Sequence, residues 1–309
     1  MPERNQRQAY FPAGAEVIPN PDGTAPGIDL TVEREGGGRS RLFALPGVPA
    51  EMKQMWAATV VDAVTRFTGG GRVIRHRAIN CFGAGESQIE AMLPELIRRG
   101  QQPRVGINAS EATIILRIAA EGTSETEALA AIEPTSQLIR EKLSSLVFGE
   151  GDERLQDVVI QLLEQQGRTL ATVEWGTAGL VASWLGDADR ARDDATPANG
   201  YLGGVVVRSE TALRDLLDVP RTTAERHPPE NTEIAAAMAR ACRERFGAHY
   251  GLAVGRFPPP GAEAAVHLAL ATPGGVQTHT HPHASHPAMR RILCAKVALN
   301  LLRLELIGE

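Results

Sequence analysis

A mixed α/β fold is what this sequence predicts, and three observations carry the prediction. From Leu155 onward, helical and apolar strand-like segments alternate, the order that yields layered α/β packing. Residues 73–150 interleave two helical patterns with strands, as a small α+β unit does. Residues 1–56 run in the order strand, Gly-Pro turn, helix. A chain of 309 residues has room for two domains or three small ones at about 100–200 residues each. The Gly run "TGGG" (68–71) and the polar stretch "GEGDER" (149–154) mark the boundaries, giving segments 1–72, 73–150 and 151–309.

The elements follow in chain order. Turns at "NPDGTAPG" (20–27) and "EREGGGRS" (33–40) flank a strand "IDLTV", and a second strand "RLFAL" (41–45) leads into "PGVPAEMKQMW". A helix from about residue 50 to 67 carries Met52, Met55, Trp56, Val60, Val64 and Phe67 at spacings of three and four, and stops at the Gly run. The middle segment predicts a strand over 73–82, a helix over 86–99, strands around "RVGINA" and "ATIILRIAA", and a helix over 124–146. In the last segment the loop 186–200, "GDADRARDDATPANG", reads as mobile. The closing helix places Met289, Leu293, Val297, Leu301 and Leu304 on one stripe, which predicts a core-packing face.

Composition excludes several classes of function. Hydrophobic residues are 43% of the chain and charged residues 22%, proportions of an ordinary globular protein rather than a disordered one. A formal charge of -5 lacks the basic footprint that nucleic-acid binding requires. Cys81, Cys242 and Cys294 are odd in number, widely spaced and free of CxxC pairing, so they read as reduced thiols. The start "MPERNQRQAYFPAG" has no apolar signal core and no run of about 18 apolar residues occurs, so a cytoplasmic protein without membrane partners is expected.

Three motifs point to chemistry. "LPGVPAEM" (45–52) sets Pro46, Gly47 and Pro49 between a strand and a helix. That arrangement either aims free amides and the positive helix end at an anion or is a plain β–α turn with Pro at the helix start. "TLATVEWGTAGL" (169–180) is a strand, a Gly-punctuated turn and a helix, the frame in which α/β enzymes present a nucleophile, yet the positions expected to be exposed are Trp175 and Gly176. "THTHPHASH" (278–286) places His279, His281 and His283 at period two, with His286 beyond. Imidazoles so grouped can ligate zinc or nickel, but Pro282 and Pro287 interrupt the run and no acidic or Cys ligand adjoins, so an exposed His-rich loop without metal is the expectation.

"RQA" within "NQRQAYFPAGAEVIPN", "NPDGTAPG" and "LPGVPAEM", in this order and spacing, resemble the C-terminal part of the first domain of the CinA family, the competence-damage-inducible proteins, whose fold is similar to molybdopterin-binding domains. "GESQIEAMLPEL" and "ILRIAAEG" resemble the family's linking domain, and residues 155–309 its C-terminal amide hydrolase domain, similar to nicotinamide mononucleotide deamidase. A KH-like reading of the middle segment lacks a GxxG loop and a basic stripe, so RNA binding is not expected.

The resemblance also defines what has changed. The family's Ala-Glu-Ser-Cys-Thr-Gly-Gly-Leu turn, whose Ser is the implied nucleophile, corresponds to Val173 through Leu180; Glu174, Thr177 and Gly179 match, and Trp175 stands at the Ser position. The Tyr-Ser-Asn segment and its following Lys correspond to "GGVVVRSETALRDLL", with Arg208 for Tyr and Leu213 for the implied base. The small-residue loop Thr-Gly-Ile-Ala-Gly-Pro corresponds to "GRFPPP" (255–260), in which Pro258 to Pro260 remove amide donors. Ser209 and Ser183 remain, without an evident base to activate them.

The resemblance implies a pseudoenzyme acting by binding or assembly, with an active nucleotide hydrolase as the alternative: either a mononucleotide amidohydrolase with a rearranged site, or an ADP-ribose pyrophosphatase if the first domain is completed. It implies a pyridine nucleotide or related phosphate as ligand, a homo-oligomer, and no nucleic acid. Asn20, Gly23, Thr24, Gly27, Gly47 and Pro49 are the expected ligand-binding residues of the first domain. A divalent metal is expected only where that domain is complete. The match enters the first domain midway, which implies a parallel sheet lacking its central strands, completed by upstream coding sequence or by a partner.

Overall fold

The computed structural model describes residues 10–69, 72–97, 100, 102–190, 200–217, 231–259, 265–282 and 286–309. It divides into two units, Met1–Val73 with Gly122–Glu127, and Ile74–Glu121 with Ala128–Glu309.

In the first unit, β1 (Glu16–Ile18), β2 (Gly27–Glu33) and β3 (Arg39–Ala44) form an antiparallel sheet in the order β1-β2-β3. The implied parallel sheet is therefore not what these strands make. The turn at 34–38 is too tight for a parallel crossover, its amides closing on themselves at Arg34 N to Gly38 O, 2.7 Å, and Gly37 N to Arg34 O, 3.1 Å. Asp29 and Arg41 pair across the sheet through two bonds of 2.6 and 2.8 Å. The predicted helix is present as α1 (Pro49–Met55), a π turn (Trp56–Val60) and α2 (Val61–Phe67). Of its apolar stripe, Met55 and Val60 enter a small core with Ile18, while Met52, Trp56 and Phe67 remain exposed. A three-stranded sheet is narrower than the stripe, so it covers only part of it.

The second unit begins with a four-stranded sheet, order β5-β6-β4-β7, built from β4 (Val73–Cys81), β5 (Arg104–Ser110), β6 (Thr113–Gly122) and β7 (Val147–Glu150). Helices α3 (Glu86–Met92) and α4 (Glu125–Leu143) accompany it, and Ile89, Ile132 and Ile139 meet Ile79, Leu116 and Ile118 in one core. The helix expected over 86–99 ends at Met92, because Pro94 disfavours helical geometry at Leu93, which sits at φ -124°. Strand β7 overlaps the first two residues of the polar boundary stretch, and it pairs antiparallel with β4. At four residues, VFGE, it is a short edge strand of the kind apolar patterning does not reveal.

The remainder is a five-stranded sheet, order β12-β11-β10-β8-β9, with β8 (Leu170–Glu174) parallel to both β9 (Tyr201–Val206) and β10 (Tyr250–Val254), and β11 (Ala265–Thr272) and β12 (Gly275–Pro282) antiparallel at one side. Every residue of β8 and β10 is buried, as befits central strands covered on both faces. Helices α5 (Leu155–Gln165), α6 (Leu180–Arg190) and α9 (Pro287–Ile307) supply one core, in which Val159, Val181 and Leu299 meet Leu170, Leu252 and Leu268. Helices α7 (Glu210–Leu217) and α8 (Thr232–Phe246) supply the other, in which Leu213, Met238 and Cys242 meet Val173, Ala253 and Ala269. Helix α6 runs through Arg190 into the segment expected as a loop, and residues 191–199 lie outside the described residues. No helix among the described residues is long and apolar enough to cross a membrane.

The two sheets of this unit are joined by polar ties over an apolar seam. Asn80 Nδ2 donates to Gly151 O and Glu153 O at 3.1 Å each, Lys296 Nζ donates to Thr113 Oγ1 at 2.6 Å, and the Arg303 guanidinium donates to Ser145 O and Val147 O. Phe82 and Phe148, from the first sheet's segment, sit in the core shared with α5 and α9. Burial lowers the affinity of Lys296 for its proton, so the short bond to Thr113 helps a charge that is 8% exposed to persist there.

The three cysteines are buried and unpaired. Burial pushes the thiols of Cys81 and Cys242 up to about 12 and that of Cys294 up to about 11, from an ordinary 9.0. Native protein at pH 8 should therefore leave a disulfide exchange reagent unreacted until denaturant is added. Because the folded thiols hold their protons more tightly than unfolded ones, their contribution to stability is complete below about pH 9 and falls as pH rises toward 11–12, which urea titrations across that range would register.

Candidate functional site

Strand β8 ends in a carboxylate. Glu174 is 1% exposed at the close of a wholly buried strand, and the chain then turns through residues 175–179 into α6. Its Oε2 accepts from Thr177 Oγ1 at 2.6 Å and from the amides of Gly179 and Val181 at 3.1 Å, while Oε1 accepts from the Ala182 amide at 2.7 Å. The positive end of α6 is thus neutralised by a residue of the same chain, and the amides a bound anion would use are committed inside the fold. The guanidinium of Arg291 completes the turn from the far side, donating to Thr177 O at 3.1 and 2.9 Å.

The turn positions expected to be exposed are filled. Trp175 is only 6% exposed and packs in the core formed with α7 and α8, with Arg256 lying over its ring at 5.6 Å. The amides of Trp175 and Gly176 donate to Val254 O at 2.9 Å and Gly255 O at 3.1 Å, extending the β8–β10 ladder past the strand ends. Gly176 is under the ring of Phe257, close enough that any Cβ would overlap that ring. Gly255, Arg256 and Phe257 therefore lie against the turn; Pro258 is buried, Pro259 is exposed and Pro260 is outside the described residues.

The other positions in question do not converge on a reactive centre. Arg208 is exposed beyond β9. Ser209 Oγ accepts the Ala212 amide at 3.1 Å and so caps α7, the structural use of such a serine. Leu213 is 1% exposed in the α7–α8 core, and Ser183 lies on the exposed side of α6. Sequence reading identified Glu174, Thr177 and Gly179 as retained residues without their work, and missed Phe257 and Arg291. The signal available was a lone carboxylate closing a buried strand immediately before a helix, which demands donors.

In the first unit, Asn20 Nδ2 donates to Ala25 O and to Glu51 Oε2, both at 2.8 Å, and Glu51 lies so near Gly23 that a Cβ there would collide with its carboxylate. Gly23 thus accommodates Glu51 from α1. Thr24 lies in the same turn, Gly27 opens β2 against Met55, Gly47 faces open space, and Pro49 is the first residue of α1. The Oδ1 of Asn20 is buried with no hydrogen-bond partner among the described residues. No group of three or more His, Cys, Asp or Glu among the described residues could hold a metal ion. Of the histidine tract, His279 and His281 lie on strand β12 rather than in a loop, with their rings stacked at 6.3 Å between centroids. β12 is the edge strand, where Pro282 is tolerated. His283 lies outside the described residues.

These features define a mixed α/β protein in which a small sheet module is locked to a larger α/β domain whose enzyme-type turn is closed by its own side chains. The family model described as the damage-inducible protein CinA KH domain matches residues 76–149, and that of the CinA C-terminal domain matches residues 152–306. A CinA-like protein from Synechococcus sp. (strain RCC307) is 34% identical over 310 aligned positions, covering 98% of this chain and 72% of the relative. One from Prochlorococcus marinus (strain MIT 9313) is 33% identical over 277, covering 88% of this chain and 62% of the relative. The chain belongs to the CinA family and spans somewhat under two thirds of the length of that second relative. The crystal structure of a CinA superfamily protein from Escherichia coli is 27% identical over 48% of this chain and 88% of its own, with a TM-score of 0.43.

The Glu174 network gives a direct test. Glu174→Gln turns an all-acceptor group into one that confronts amide donors with its own NH2, and urea unfolding should show a loss of roughly 3 kcal/mol. Thr177→Val, which removes one donor from the carboxylate, should lose less, and Gly176→Ala should be destabilised through displacement of Phe257.

Proposed function

We propose that this protein is related to pyridine-nucleotide salvage enzymes through its C-terminal domain but does not hydrolyse amides there, acting by binding or assembly. The observation that carries this reading is the filled turn. Trp175 stands where the resemblance implies a nucleophile, its indole is buried, and its amide and that of Gly176 are already bonded to Val254 and Gly255. Amide hydrolysis needs an attacking group, a base to take its proton and donors for the oxyanion, and these act as a unit. Leu213, at the position of the implied base, is a core residue, and Ser209 is engaged as a helix cap. The ligand class to test is that of pyridine nucleotides and related phosphates, and a homo-oligomer is part of the same proposal.

Purified protein incubated with nicotinamide mononucleotide should release no ammonia above a buffer control, and Trp175→Ala, which opens the turn without supplying a nucleophile, should release none either. Calorimetry should detect the mononucleotide binding to Trp175→Ala more tightly than to the parent. Steady turnover by the parent that disappears in Ser209→Ala would overturn the reading, because it would mean that the serine at the α7 cap attacks substrate.

A further inference from the structure

We propose that the cavity between the four-stranded sheet module and helix α9 is a binding site for a small monoanionic amphiphile, a compact apolar or aromatic body with one carboxylate-like or sulfonate-like end. The site lies apart from the α6 turn in its residues and does not depend on the reading of that turn.

The cavity measures about 560 Å³, within the roughly 300–1,000 Å³ of small-molecule sites. Its apolar wall comes from both sides of the module seam: Phe82, Ala112 and Ile114 from the sheet module, and Leu293, Val297 and Leu301 from α9. This accounts for a discrepancy along α9. The stripe of Leu293, Val297, Leu301 and Leu304, expected to pack on the core, is half-buried: Leu293, Val297 and Leu301 touch the core, whose fully buried residues on this helix include Cys294, Ala298, Leu299 and Leu302. An apolar stripe of a long helix, left half-covered beside a cavity, is a surface suited to an apolar ligand.

The polar groups of the cavity select the ligand's other end. Gln88 Oε1 accepts the Gly85 amide at 2.9 Å, and Asn300 Oδ1 accepts Arg303 Nε at 2.9 Å. Both partners are pure donors, so neither amide can be flipped, and each turns its NH2 away from the bond already made. His279 and His281 add two imidazoles from β12, and no Asp or Glu among the described residues lines the space. The lining thus combines side-chain amide NH2 groups and imidazoles with no carboxylate among the described residues, which suits a hydrogen-bond acceptor carrying negative charge. A cation would meet no counter-charge among the described residues, and a wholly apolar guest would leave the NH2 groups of Gln88 and Asn300 without acceptors on desolvation.

The test uses the full chain and two probes of the same ring system, 1-anilinonaphthalene-8-sulfonate and its uncharged counterpart N-phenyl-1-naphthylamine. Fluorescence titration should show saturable binding of the sulfonate at least ten-fold tighter than of the neutral amine. Val297→Trp, which fills the cavity from α9, should abolish that component. His279→Glu, at an exposed strand position, should weaken the sulfonate at least five-fold and leave the neutral probe and the thermal melt unchanged. Equal affinity for the two probes, or undiminished sulfonate binding in His279→Glu or in a folded Val297→Trp, would overturn the assignment.

Discussion

A carboxylate that is 1% exposed must be given donors by the fold, and at Glu174 those donors are the first turn of α6. The condition fixes the rest of the domain's centre. For three amides to reach one side chain, β8 has to end where α6 begins. The connecting turn then takes left-handed geometry at Ala178, φ 52°, and at Gly179, φ 90°. Thr177 must face inward to supply the fourth bond, and its carbonyl is turned outward to the Arg291 guanidinium on α9. One buried charge therefore sets the strand end, the turn, the helix start and the placement of the closing helix.

The same constraint separates architecture from chemistry. Burying an ionised group costs several kcal/mol unless it is fully bonded, so Glu174 cannot be released to hold a ligand without loss of the turn. What lies between the turn and segment 255–259 is open to change, because nothing there supports Glu174. Trp175 and Phe257 occupy it, adding buried aromatic area to the packing. Glu174, Thr177 and Gly179 thus follow from the geometry of the turn whether or not it reacts, and they are poor indicators of activity.

Legibility in the sequence followed the same division. Central strands β8 and β10, buried on both sides, announce themselves as apolar runs, and the strand-turn-helix frame at 169–180 is readable from Gly punctuation. Two edge strands were not readable: β7 is four residues long and runs into the stretch taken as a linker, and β12 carries histidines and a terminal proline because an edge strand tolerates both. In the first unit, the positions of β2 and β3 were legible, but β1 and the antiparallel pairing were not, since the resemblance implied a parallel sheet. At the turn, spacing located Trp175 but could not tell a buried indole from an exposed one, a distinction set by Phe257 and Arg256 some 80 residues later.

Helix α9 shows why periodicity alone under-determines a site. A three-and-four spacing marks an apolar face, yet α9 has two such faces: one, with Cys294, Ala295, Ala298, Leu299 and Leu302, is buried in the core beside the five-stranded sheet. The other face, Leu293, Val297, Leu301 and Leu304, is turned toward the sheet module and stands off from it. Lys296 and Arg303 hold that separation by bonding to Thr113, Ser145 and Val147 rather than letting the apolar surfaces close. Buried cations that tie two modules together while large aliphatic side chains between them remain half-covered make the gap a feature of the packing: collapsing it would strand both charges away from their acceptors.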